Sequence, residues 1–140
     1  MTRLKPALAA LCSCLALAAC GSSEPAGEGQ AFTRDDETIS VDAGEQFRVE
    51  LEASPGIGDD WRLIEKGDPA IVELTGEEWV SEVEDPPPGS SGTTVFTFRA
   101  KGTGATELTF YNCYRCGSST EPPPDEAEFA ETVRFDLEVS

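Results

Sequence analysis

The feature that most constrains this chain is a period of two in its apolar residues. Val133-Arg134-Phe135-Asp136-Leu137-Glu138-Val139 alternates without a fault, and Phe47-Arg48-Val49-Glu50-Leu51-Glu52 does the same. Successive side chains of a strand point to opposite faces, so each run lays one face on a core and the other in water. Wound into a helix, the same residues would be scattered around the axis and present no apolar face. Further β-rich runs are Thr38-Ile39-Ser40-Val41, Trp61-Arg62-Leu63-Ile64, Ile71-Val72-Glu73-Leu74, Trp79-Val80-Ser81-Glu82-Val83, Val95-Phe96-Thr97-Phe98-Arg99 and residues 106–111. Gly and Pro punctuate them. The pattern predicts an all-β domain over residues 32–140, an antiparallel sandwich of about seven to eight strands. The last strand is too regular to be a tail and should pair inside a sheet. Two stretches break the order. Residues 85–92 (DPPPGSSG) read as a loop with an extended, Pro-rich entry, and residues 117–128 (GSSTEPPPDEAE) as a mobile, acidic surface excursion.

The first 31 residues follow other rules. Arg3 and Lys5 precede an almost wholly apolar stretch, residues 7–19, which has the length of a signal-peptide core. A bilayer span needs roughly 20 apolar residues, so this segment is too short to cross one. It ends in Leu17-Ala18-Ala19-Cys20 followed by Gly21 and Ser22, the arrangement of a bacterial lipobox. Residues 1–19 are therefore expected to be a cleaved leader, and Cys20 to be acylated (palmitate among the chains added) as the first residue of the mature protein. Residues 20–31, rich in Gly, Ser, Glu and Pro, should form a flexible tether. The expected location is the extracytoplasmic face of the cell membrane.

Removing the leader takes two of the ten basic residues and none of the 27 acidic ones, leaving a net charge of −19. Such a surface cannot neutralise phosphates, which argues against nucleic acid. It also argues against electrostatic attachment to anionic lipid, so membrane contact must come from the acyl group. There is no His. Ser-His and Cys-His nucleophilic catalysis are thereby excluded, and so are the commonest metal ligand and proton shuttle. Of the five Cys, Cys12 and Cys14 leave with the leader and Cys20 is consumed by the lipid. Cys113 and Cys116 remain, an even pair in an oxidising compartment, for which a disulfide is the default.

With the strands laid out, three intervening segments stand in an informative order, and residues 41–139 resemble the chagasin-like family of cysteine peptidase inhibitors. Members carry an Asn-Pro-Thr-Thr-Gly-Tyr-x-Trp loop. Here Ser54-Pro55-Gly56-Ile57-Gly58-Asp59-Asp60-Trp61 keeps the Pro, the Gly and the Trp in register. A second family loop, Gly-x-Gly-Gly before a Phe-x-Phe strand, matches Gly89-Ser90-Ser91-Gly92 before Phe96-Thr97-Phe98. The third, Arg-Pro-Trp, is absent; Tyr111 is followed by Asn112-Cys113-Tyr114-Arg115-Cys116. The resemblance implies an immunoglobulin-like sandwich whose three loops gather at one end and wedge into the cleft of a papain-like cysteine peptidase. It implies no enzyme activity and no cofactor, and the protein is expected to act as a monomer. A rigid plug needs preorganised loops rather than reactive groups. The inhibitory residues implied are Pro55, Gly56, Ile57 and Gly58, then Gly89, Ser90, Ser91 and Gly92, then Tyr114 and Arg115 held out at the tip of a Cys113–Cys116 ring.

Plainer readings stand beside these. Trp61 suits a sandwich core, and Trp79 either the core or a partly exposed sheet face. Pro55, Gly58 and residues 89–92 would serve equally as simple turn formers. Asp59 and Asp60 lack the ligand spacing of a calcium loop. Two thiols are too few for zinc, and a thioredoxin-type pair belongs at a helix N-terminus in a βαβ context. The departures in the first and third loops leave a second function open, a non-inhibitory immunoglobulin-like binding module of the cell envelope.

Overall fold

The computed structural model describes residues 29–117, 119, 121 and 123–140. The leader, Cys20 and the greater part of the tether lie outside the described residues. Eight strands form two four-stranded sheets. The first contains β1 (Gln30–Thr33), β3 (Gln46–Ala53), β6 (Gly92–Ala100) and β5 (Val72–Ser81), in the order β1-β3-β6-β5. The second contains β2 (Thr38–Val41), β8 (Glu131–Val139), β7 (Gly104–Asn112) and β4 (Trp61–Glu65), in the order β2-β8-β7-β4. The all-β sandwich is as expected, and β8 does pair inside a sheet, with β2 and β7 on either side.

Alternation decides which side chains meet. Phe47, Val49 and Leu51 of β3 face inward beside Phe96 and Phe98 of β6, and Leu108 and Phe110 of β7 meet them from the other sheet with Phe135 and Leu137 of β8. Phe47 stacks on Phe98 at 5.2 Å, Phe98 meets Phe110 edge-on at 6.3 Å, and Phe110 meets Phe135 edge-on at 5.8 Å. Each such contact contributes about 1 kcal/mol beyond the area it buries. Trp61 is buried as expected, and its indole N–H donates to Glu52 O at 2.8 Å.

The strand boundaries differ from the sequence expectation in three ways. Two pairs are parallel, β1 with β3 and β2 with β8, so both sheets are mixed. The short connection between β1 and β2 carries the chain from an edge of one sheet to an edge of the other, which no periodicity within either strand records. Gln30 and Ala31 already pair with Phe47 and Arg48, so the tether ends before them. Lastly, the two apolar runs at 71–74 and 79–83 fall largely within one strand, β5. A register shift between Leu74 and Gly76 changes its phase, so Leu74 before it and Trp79 after it both face inward.

Candidate functional site

β3, β6 and β7 each have one end at a common pole of the sandwich. The segments there are 54–60 between β3 and β4, 82–91 between β5 and β6, and 113–130 between β7 and β8. The first is the best fixed. Ser54 and Asp59 close it as a bridge, with Ser54 N to Asp59 O at 3.0 Å and Asp59 N to Ser54 O at 3.3 Å. Inside, Pro55, Gly56 and Ile57 make a single 3₁₀ turn. Pro55 needs no N–H there and presets φ. Gly58 ends the turn at φ +90°, a left-handed conformation that glycine takes without penalty. Ile57 is left 46% exposed at the tip.

This loop touches both of its neighbours through glycine. A Cβ on Gly56 would lie 2.8 Å from Gly89 N, so the first and second loops meet backbone to backbone. A Cβ on Gly58 would lie 2.9 Å from Arg115 Cα, and Gly58 O accepts a hydrogen bond from Arg115 N at 2.9 Å. Ser54 and Ser91 add a hydroxyl contact at 3.1 Å. Three loops distant in sequence thus form one surface, with the 54–60 loop in the middle.

Pro55, Gly56, Ile57, Gly58, Gly89, Ser90, Ser91, Tyr114 and Arg115 all lie at this pole. Gly92 does not belong to the loop. It is buried as the first residue of β6, and a Cβ on it would run into the Val80 carbonyl and, at 2.7 Å, into the Trp79 ring. Its glycine makes room for that half-buried indole, whose N–H donates to Ala53 O at 3.3 Å. Cys113 and Cys116 are joined as a disulfide with their Cα atoms 5.5 Å apart, and both are buried. The ring sets Arg115 at φ +56° with its side chain exposed. Tyr114 is not held out at the tip. It is half-buried, with its ring 5.2 Å from that of Phe129 and the Arg115 guanidinium 5.4 Å above it. The Asp59 carboxylate accepts from the Asn112 side-chain amide, and no carboxylate or thiol cluster able to hold a metal occurs among the described residues.

Sequence reasoning missed three residues here. Arg62 donates to Gly117 O at 2.5 Å and Ser119 O at 2.7 Å, fixing the start of the acidic excursion. Glu126 pairs with Arg115 at 3.0 Å and fixes its end. Phe129 covers Tyr114 while remaining 55% exposed. The alternation places Arg62 on an outer face but cannot say what it reaches. Phe129 did leave a signal, as a lone aromatic in an acidic, Pro-rich stretch.

Comparison with known proteins agrees with this geometry. The fold resembles the solution structure of Amebosin, at 19% identity over 81% of this chain and 100% of that one, with a TM-score of 0.61. It also resembles the cysteine protease inhibitor EhICP2 from Entamoeba histolytica, at 11% identity over 79% of this chain and 95% of that one, with a TM-score of 0.57. PbICP-C, solved in complex with falcipain-2, is similar at 14% identity over 79% and 88% of the two chains, with a TM-score of 0.52. No curated protein sequence matches significantly. At such identities these likenesses speak for the fold alone. The family model described as chagasin family peptidase inhibitor I42 matches residues 40–133, which take in the first two loops and the Cys113–Cys116 turn. This chain, an immunoglobulin-like sandwich with three loops joined at one pole, belongs to the chagasin family of peptidase inhibitors, which are not enzymes.

Proposed function

We propose that this protein is a membrane-tethered, extracytoplasmic inhibitor of papain-like cysteine peptidases that fills the active-site cleft with its three joined loops. The observation that carries the reading is the contact of Gly56 with Gly89 and of Gly58 with Arg115, which makes three loops one preorganised surface. Preorganisation is what a cleft-filling inhibitor needs, because ordering loops on binding would cost affinity. EhICP2 is named a cysteine protease inhibitor, and PbICP-C was solved bound to falcipain-2. Cys20, at the end of a lipobox, is the proposed lipid anchor. The chain enters the sandwich at Gln30, beside Phe47, the end of β3 far from Ala53 and the loops. A tether arriving there leaves the loop pole facing away from the membrane.

The test is inhibition of papain by a soluble form beginning near Gly21. Competitive inhibition is expected. A Ki weaker than about 100 µM from a folded domain would refute the proposal. One observation favours a second reading: where the family carries Arg-Pro-Trp, this chain has a disulfide-closed turn. A binding module for a different envelope protein would then be recovered in pull-down, with no peptidase among its partners.

A further inference from the structure

We infer that Phe129 is a fourth contact of the inhibitory edge, docking on an apolar spot rimmed with basic groups beside the peptidase cleft. This rests on the peptidase-inhibitor reading above. Phe129 is an exposed aromatic on a fixed backbone. Its N–H donates to Glu126 O at 3.0 Å, the Glu126 carboxylate holds Arg115, and its ring lies on Tyr114. Arg62 fixes the start of the same excursion through Gly117 and Ser119. Isolated exposed apolar residues are ordinary on protein surfaces. This one is distinguished by its company: its ring packs on Tyr114, over which the Arg115 guanidinium lies, and Arg115 Nε donates to the carbonyl of Ile57, also exposed, at 3.4 Å. An aromatic already immobilised in the free protein loses little entropy on binding, a property shared with the dominant residues of interfaces. The segment that carries it also carries the exposed acids Glu121, Asp125 and Glu128, whose charge favours a basic partner surface and speeds its approach.

The experiment measures Ki and association rate against papain for the wild type, Phe129→Ala, Arg62→Ala and the double variant. A further variant is Glu121→Gln with Asp125→Asn and Glu128→Gln. Thermal melts accompany each. Phe129→Ala is expected to raise Ki about tenfold with the melting temperature unchanged. Arg62→Ala should raise Ki comparably, and the double variant no further, because Arg62 acts by positioning Phe129. The neutralised variant should associate about threefold more slowly at low salt and equally fast at high salt. If the wild type inhibits and Phe129→Ala stays within twofold of it, the inference is wrong while the inhibitor reading survives. Additive losses from Arg62→Ala and Phe129→Ala, or an unchanged rate for the neutralised variant, would also overturn it. A wild type that does not inhibit fails both, and that arm alone shows it.

Discussion

The two poles of the sandwich are built from the same strands and use glycine for different reasons. At the pole away from the loops, Gly44 sits at φ +92° in the turn between β2 and β3, donates to Ala100 O at 2.8 Å, and has no atom within 4 Å of where a Cβ would stand. It is needed for its backbone angle alone. At the loop pole, Gly58 combines a similar angle with Arg115 packed against it, and Gly56 combines an ordinary angle with Gly89 packed against it. There the missing side chain is the contact. One pole closes the fold; the other joins loops into a surface.

The largest effect that would sharpen this contrast is expected from Gly58→Ala. The methyl meets the Arg115 backbone and a left-handed residue acquires a side chain, so loop and ring must part. Inhibition of papain should fall about 100-fold, roughly 2.7 kcal/mol, while circular dichroism retains the β signal. Opening the disulfide by Cys113→Ser with Cys116→Ser comes next. A ring this short restrains the unfolded chain little, so stability should fall by about 2 kcal/mol or less in urea. Freeing Arg115 from its fixed conformation should raise Ki about tenfold.

Gly44→Ala is the control at the other pole. It should cost about 1 kcal/mol in urea denaturation, through backbone angle alone, and leave Ki unchanged. A change in Ki from Gly44→Ala as large as that from Gly58→Ala would break the contrast. The smallest effect concerns Glu65 on the outer face of the second sheet. The Thr109 hydroxyl, which donates to it at 2.6 Å, and the charge of Arg134 hold its carboxyl below the ordinary value of 4.5. A carboxyl depressed in the folded state stabilises above its unfolded pKa, and that contribution is lost as pH falls through the lower folded value. An NMR titration should therefore place the Glu65 midpoint below 4.5, and Thr109→Val should move it upward.

The strands were legible in the sequence because a buried face imposes alternation on its own residues, as in β3 and β8. Where the structure departs from alternation, as at the register shift in β5, one strand looked like two. The parallel edge pairs were illegible for a different reason, since pairing partners are set by how the chain crosses between sheets. Of the candidate site, Pro55 and Gly58 were legible because turn chemistry is local. Gly92 was assigned to a loop because the close approach that needs a glycine there, to Val80 and Trp79 of β5, lies across the sheet. Arg62 and Glu126 act through partners about 55 and 11 residues away and leave no periodic trace.

The most direct measurement of what the joined loops do is the Ki of the soluble domain against papain, for wild type and Gly58→Ala side by side with their melting curves. Competitive inhibition by the wild type is expected, with about a 100-fold loss in the folded variant. A folded wild type that does not inhibit, or a Gly58→Ala protein that inhibits as well as the wild type, would show that the joined loops are not an inhibitory surface.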